Sequence, residues 1–165
     1  MKRGIPAPGQ VKREDCLAMS RLCISANLRK TERIVTRHYD AYLAESGISA
    51  AQLPILAIIA AADEPTFRLL AAQLDLDRST LSRNLALLEG RRLVKIAPSS
   101  GPKPGRLSLT ARGTAALRDA YRCWTRAQRA LEQVLPDASL TEMVGKLKVL
   151  RRAARGSAVS SDRET

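Results

Sequence analysis

The sequence predicts a mainly α-helical protein with one small β-hairpin. Three observations carry this. Apolar residues recur at steps of three and four through most of the chain. Ser, Thr or Asp stands at the start of most periodic segments, where helix caps belong. One Gly/Pro-rich loop, APSSGPKPG (97–105), breaks the helical period between two short apolar runs, as a hairpin would. A length of 165 residues suits one domain with a substantial core.

The elements follow in order. Residues 1–14, rich in Pro, Gly and basic residues, read as a disordered basic arm. From about Asp15 to Glu45, the residues Ile24, Leu28, Thr31, Val35, Tyr39 and Tyr42 mark one face of a long helix. Its first half carries a second stripe of Cys16, Met19, Cys23 and Ala26, so that end is expected to be buried on two sides. Gly47 ends it. Ser49-Ala-Ala-Gln52 is a capping-box pattern opening an apolar helix to about Ala62, and Pro54 requires that helix to start late or bend. Pro65-Thr66 opens a short helix from Phe67 to Leu74.

Asp77 is placed to cap a helix beginning at Arg78, with Leu81, Leu85 and Leu88 on one face. Arg78, Ser79, Ser82 and Arg83 fall away from that face, and Thr80 lies at its flank. Leu93–Ile96 and Arg106–Thr110 form the two strands of the hairpin, with Lys103 at its tip and Arg106 at its base. Thr110 caps the next helix, whose stripe is Leu117, Tyr121, Trp124, Gln128, Leu131 and Leu135. Ser139-Leu-Thr-Glu142 is a second capping box, leading into a seam of Leu140, Met143, Leu147 and Leu150. Residues 156–165 read as a disordered tail, and no internal repeat is present.

Charge narrows the function. Lys and Arg number 28 against 16 Asp and Glu, giving a net charge of +12. That excess favours a polyanionic partner, nucleic acid before an anionic membrane surface. Only 3% of residues are aromatic, which argues against a platform that stacks single-stranded bases. The longest apolar run, LPILAIIAAA (53–62), is too short to span a bilayer. The start, MKRGIPAPGQVKRED, lacks the apolar core of a signal peptide. Three cysteines without CxxC pairing fit a reducing cytoplasm, the expected location.

No Gly-rich phosphate loop, paired catalytic carboxylates or Cys-His pair at a known spacing supports an enzyme. One His and three scattered Cys form no recognisable metal-ligand set, and no metal or cofactor is expected. A basic protein coating DNA or RNA without preference would explain the charge. It would not explain a short capped helix, a turn and a second helix carrying Arg, Ser and Thr on its polar face. That arrangement is a helix-turn-helix, whose second helix enters the major groove of duplex DNA. Arg suits guanine edges bidentately, and Ser or Thr hydroxyls suit phosphates or base edges.

Helix-turn-helix, hairpin and flanking long helices together resemble the MarR family of winged-helix regulators. The matching stretches are LAAQLDLDRSTLSRNLALLEGRRLV, the hairpin, LSLTARG, and RKTERIVTRHYDAYL followed by SGISAAQL, within residues 15–152. The resemblance implies a winged helix-turn-helix fold, with dimerisation helices at 15–48 and 110–155 around a DNA-binding lobe at 49–109. It implies a homodimer on a pseudo-palindromic operator, usually as a repressor. Its DNA contacts fall on Arg78, Ser79, Thr80, Ser82 and Arg83; Lys103 and Arg106 are the wing candidates read from the hairpin itself, and no wing arginine is carried over from the family. The wing departs from the family pattern, because APSSGPKPG holds neither the usual Asp nor the arginines that follow it.

The resemblance also implies release of DNA by a small, often aromatic and anionic effector, for which Arg37, His38, Tyr39 and Tyr42 are the candidate lining. A branch of the family senses hydroperoxides through a Cys near the start of its first helix, in a Leu-Cys context. Leu22-Cys23 resembles this, so Cys23 with Cys16 or Cys123 is an alternative trigger. The tyrosine expected one turn later is Asn27 here, and the ring at Tyr39 lies half a turn further away than the pattern requires. The plainer role for all three cysteines is packing in a dimer interface.

Overall fold

The computed structural model describes residues 11–62, 64–98, 105–135 and 139–161. The chain forms two compact units, Met1–Cys123 and Trp124–Thr165. The first contains α1 (Arg13–Leu22), α2 (Ile24–Leu43), α3 (Leu53–Ala61), α4 (Phe67–Leu74), α5 (Arg78–Gly90), β1 (Val94–Ile96) and β2 (Leu107–Leu109). It also takes the first half of α6 (Ala111–Val134); the second unit holds the rest of α6 and α7 (Leu140–Ser161). This is the mainly helical fold with one two-stranded hairpin that the sequence predicts.

The core of the first unit is aliphatic. Leu43, Ile48, Ile55, Leu56, Leu70, Leu81, Leu88, Leu93 and Leu107 are all at most 2% exposed. Burying each such side chain contributes on the order of 1.5–3 kcal/mol. β1 and β2 pair antiparallel, Val94 opposite Leu109 and Ile96 opposite Leu107. The Leu107 amide also donates to the Pro65 carbonyl at 3.0 Å, so the residues ahead of α4 flank the hairpin.

Helix starts follow local chemistry. Thr66 caps α4 by accepting the Leu69 amide, and Asp77 caps α5 by accepting the Thr80 amide. Ser49 and Gln52 make the reciprocal bonds of the capping box, each side-chain oxygen accepting the other's amide at 3.3–3.4 Å. These four residues form a turn, and α3 itself begins at Leu53. Pro54 therefore lies in the first turn, where its missing N–H costs no helical bond.

The first helix differs from its expected form. It starts at Arg13, where the Asp15 carboxylate accepts the Lys12 amide at 3.0 Å. It then breaks at Cys23, whose backbone is extended (φ −64°, ψ 110°). The Asn27 side chain accounts for the carbonyls at the break, donating to Arg21 O at 3.0 Å and Cys23 O at 2.9 Å. The burial expected on two sides is not found among the described residues of this unit. Helix α1 buries no residue, and Cys16, Met19, Cys23 and Ala26 are exposed.

In the second unit, Ser139 accepts the Glu142 amide at 3.1 Å as the second capping box requires. Helix α7 continues to Ser161, past residue 156 where a tail is expected to begin, because nothing in GSAVSS forbids helical backbone. Met143, Val144, Leu147 and Val149 are exposed along it.

Candidate nucleic-acid interface

Helices α4 and α5 are joined by the turn Asp75–Asp77. Asp75 takes the left-handed conformation (φ 55°, ψ 40°), which Asp tolerates better than most residues, and its amide closes on Ala71 O. The chain then reverses at once into α5. Leu81, Leu85 and Leu88 bury the inner face of α5, so Arg78, Ser79, Ser82 and Arg83 are left exposed, with Thr80 half-buried. The polar face of α5 is held outward by the same leucines that close the core.

Asp77 organises the first turn of that face. Its carboxylate accepts the Ser79 hydroxyl at 2.6 Å, the Thr80 amide at 2.8 Å and the Thr80 hydroxyl at 2.8 Å. The Ser79 hydroxyl above all, then the Thr80 amide and hydroxyl, hold the Asp77 carboxyl well below the usual carboxylate range. Two hydroxyls expected to face DNA thus donate to Asp77, which leaves them to meet a partner as acceptors. The Arg83 Nη2 donates to Thr80 Oγ1 at 3.4 Å, which links the arginine to the same cap.

A lowered folded pKa means stability that is present above the unfolded value of about 4 and is lost as pH falls through the folded value. Asp77→Asn keeps a capping oxygen but removes the charge. Thermal unfolding from pH 5 to pH 2 is expected to show a shallower acid loss in the variant than in the wild type. Equal slopes would remove Asp77 from the acid-sensitive groups.

The end of α5 is also fastened. The Arg91 Nη1 donates to Gly47 O at 2.8 Å, which ties the helix exit to the loop after α2. Gly47 sits at φ +66°, a conformation suited to glycine, and a Cβ there would lie 3.2 Å from Arg91 Nη2. Asp40 reaches the same region from α2, its Oδ1 accepting the Ala50 amide at 2.7 Å. Sequence patterning offers no signal for either tie, because the partners are 44 and 10 residues apart.

Arg106 is expected at the base of the hairpin, but the register places it at the loop end of the strands, just beyond the Ile96–Leu107 pair, where its side chain is exposed. Its Nη1 donates to Glu64 O at 3.0 Å, so part of the guanidinium secures the hairpin to the segment before α4. Lys103, the expected wing tip, lies outside the described residues. On α2, the His38 ring stands edge-on to Tyr39 at 5.6 Å and tilted against Tyr42 at 5.0 Å. These three rings are half-buried, and Arg37 is exposed beside them. Cys16 and Cys23 are exposed, whereas Cys123 is buried. Among the described residues no three His, Cys, Asp or Glu side chains assemble as a metal site, and no helix is long and apolar enough to cross a membrane.

Residues 46–103 match the model of the MarR family. Among solved structures, the DNA complex of the Mycobacterium tuberculosis transcriptional regulator MosR superposes with a TM-score of 0.74 at 29% identity, covering 82% of this chain and 98% of that one. The transcriptional repressor CouR, bound to p-coumaroyl-CoA, gives 0.71 at 23% identity over 82% and 95% of the two chains. A variant of Escherichia coli MarR with operator DNA gives 0.68 at 21% identity over 83% and 97%. No curated protein sequence matches the chain.

Proposed function

We propose that the chain, whose residues 46–103 match the MarR family model and whose fold is similar to that of DNA-bound transcriptional regulators, is a regulator rather than an enzyme and reads a pseudo-palindromic operator as a homodimer. The observation that carries this reading is the polar face of α5. Arg78, Ser82 and Arg83 project from a helix fixed at its start by Asp77 and at its exit by Arg91. Helix-turn-helix proteins place such a face in the major groove, and a two-fold dimer presents two of them one helical turn of DNA apart.

Dimerisation is supported by apolar residues that stand exposed among the described residues. Leu17, Met19, Leu22, Ile24 and Leu28 are exposed on α1 and α2, as are Met143, Val144, Leu147 and Val149 on α7. Large apolar side chains grouped along exposed helices are what an interface between copies would cover. Lys103 and Arg106 are assigned to the minor groove, Lys103 as a point charge without the fork of Arg. The protein works in the cytoplasm as a repressor, and a small aromatic anion held near Arg37, His38, Tyr39 and Tyr42 releases it. A thiol trigger is the alternative, favoured by the exposure of Cys23 at the break between α1 and α2, with Cys16 or Cys123 as its partner.

Fluorescence anisotropy on duplex DNA from upstream of its own gene tests the reading. Reduced protein is expected to hold its operator on the order of a thousandfold more tightly than random duplex. Equal affinity for both would remove sequence-specific regulation. Reversible release by peroxide would select the thiol trigger; release by an aromatic acid with no peroxide effect would select the effector.

A further inference from the structure

A groove of about 510 Å³ runs between the start of α4, one side of α5 and the loop end of the hairpin strands. Thr66, Phe67, Arg68, Arg78 and Ser82 line it, together with Glu89, its one carboxylate among the described residues. Inside it the Arg78 guanidinium carbon stands 5.9 Å from the centre of the Phe67 ring. This is the range in which the negative face of an aromatic ring attracts a cation. Phe67 is the single phenylalanine of the chain, half-buried at the first position of α4. Among the described residues no carboxylate forms an ion pair with Arg68 or Arg78.

The placement separates the two arginines of α5. Arg83 leans on Thr80 of its own helix, whereas Arg78 is drawn back over the helix that precedes it. In a helix-turn-helix that preceding helix crosses the sugar-phosphate backbone, while the second helix meets the base edges. A guanidinium held over α4, beside Arg68 and the Ser82 hydroxyl, therefore meets phosphate oxygens. Phosphate contacts set register and salt dependence and carry no sequence information.

Resting on the assignment of α5 as the recognition helix, we infer that Phe67 is a positioning residue that holds Arg78, together with Arg68, as a clamp on the DNA backbone, so that the first arginine of α5 reads charge and not base sequence. Nothing in the motif alone separates Arg78 from Arg83. The separation comes from the ring on α4.

Anisotropy titrations of operator and random duplex at several salt concentrations test this with Phe67→Leu, Phe67→Tyr, Arg78→Ala and the Phe67→Leu/Arg78→Ala pair. Phe67→Leu is expected to weaken both duplexes by the same factor, roughly threefold to tenfold. The ratio between the duplexes stays unchanged. Phe67→Tyr keeps the ring and binds as the wild type does. Arg78→Ala weakens both duplexes and lowers the salt slope by about one. In the Arg78→Ala background, Phe67→Leu is silent, which a role in packing alone would not produce.

Persistence of the Phe67→Leu loss without Arg78 would overturn the clamp. So would a loss of operator preference on replacing Arg78, or a Tyr variant as weak as the Leu variant. Arg78 is exposed, so its replacement remains informative even if a Phe67 variant unfolds. A wild type that fails to prefer the operator overturns the regulator reading instead, while the clamp is still measured on random duplex.

Discussion

Replacing Gly113 with Ala is expected to destabilise the first compact unit by more than about 3 kcal/mol, although Gly→Ala inside a helix ordinarily stabilises by about 1 kcal/mol. A Cβ at Gly113 would lie 1.9 Å from the Leu93 carbonyl oxygen and 2.9 Å from its carbon. The obstacle is backbone, and it is held in place. Leu93 O accepts the Thr110 amide at 3.0 Å, the Leu93 amide donates to Leu88 O at 2.9 Å, and the Thr110 hydroxyl donates to Arg92 O at 2.7 Å. Arg92 itself has a positive φ of 58°, so the turn leading into β1 has little freedom to retreat. Gly113 allows the start of α6 to lie directly on the exit of α5.

Urea unfolding of the Gly113→Ala variant checks this, with Gly90→Ala as the control. Nothing lies within 4 Å of a Cβ at Gly90, so that change is expected to be neutral or to stabilise by up to about 1 kcal/mol. A Gly113→Ala variant as stable as the wild type would mean that α6 does not pack against this turn.

The contrast between these two glycines shows what a sequence can disclose. In the sequence Gly113 is only the end of Leu-Thr-Ala-Arg-Gly; its necessity lies in the carbonyl of a residue twenty positions earlier. Caps are different, because the chemistry that sets them is local. Asp77, Thr66, Thr110 and Ser139 each accept the amide three residues on, as their spacing predicts. The leucine face of α5 was legible for the same reason.

The break at Cys23 was not legible, because the apolar spacing from Met19 through Cys23 to Ala26 runs across it without interruption. Periodicity reports which face is apolar, not whether the backbone is continuous. The bonds that fix the candidate interface from outside, Arg91 to Gly47 and Arg106 to Glu64, span 44 and 42 residues. Such ties depend on how the elements pack. Arg106 shows the consequence: its type and place suggest a DNA contact, and the structure also gives one of its nitrogens a structural task. The doubled stripe at the start of the chain is a further case. Its residues are apolar enough for burial, yet they stand exposed among the described residues.

Arg83→Ala is expected to cost about 1–3 kcal/mol of operator binding, a factor of roughly five to one hundred and fifty, with a much smaller loss on random duplex. The side chain is exposed on the free face of α5, beyond the first turn. Its contact with Thr80, which in turn donates to Asp77, steadies the guanidinium before DNA arrives. A steadied planar fork suits the paired acceptors of a guanine edge. Arg83→Lys separates shape from charge. Lys restores the attraction to any duplex but not the bidentate fork, so random-duplex affinity should recover while operator preference stays low. Folding is a poor explanation for either result, since an exposed replacement of this kind changes stability by no more than about 0.5 kcal/mol. Unchanged operator affinity in Arg83→Ala would remove Arg83 from the reading residues. Equal losses on operator and random duplex would make it a second backbone contact, and base reading would then have to come from Ser79 and Ser82.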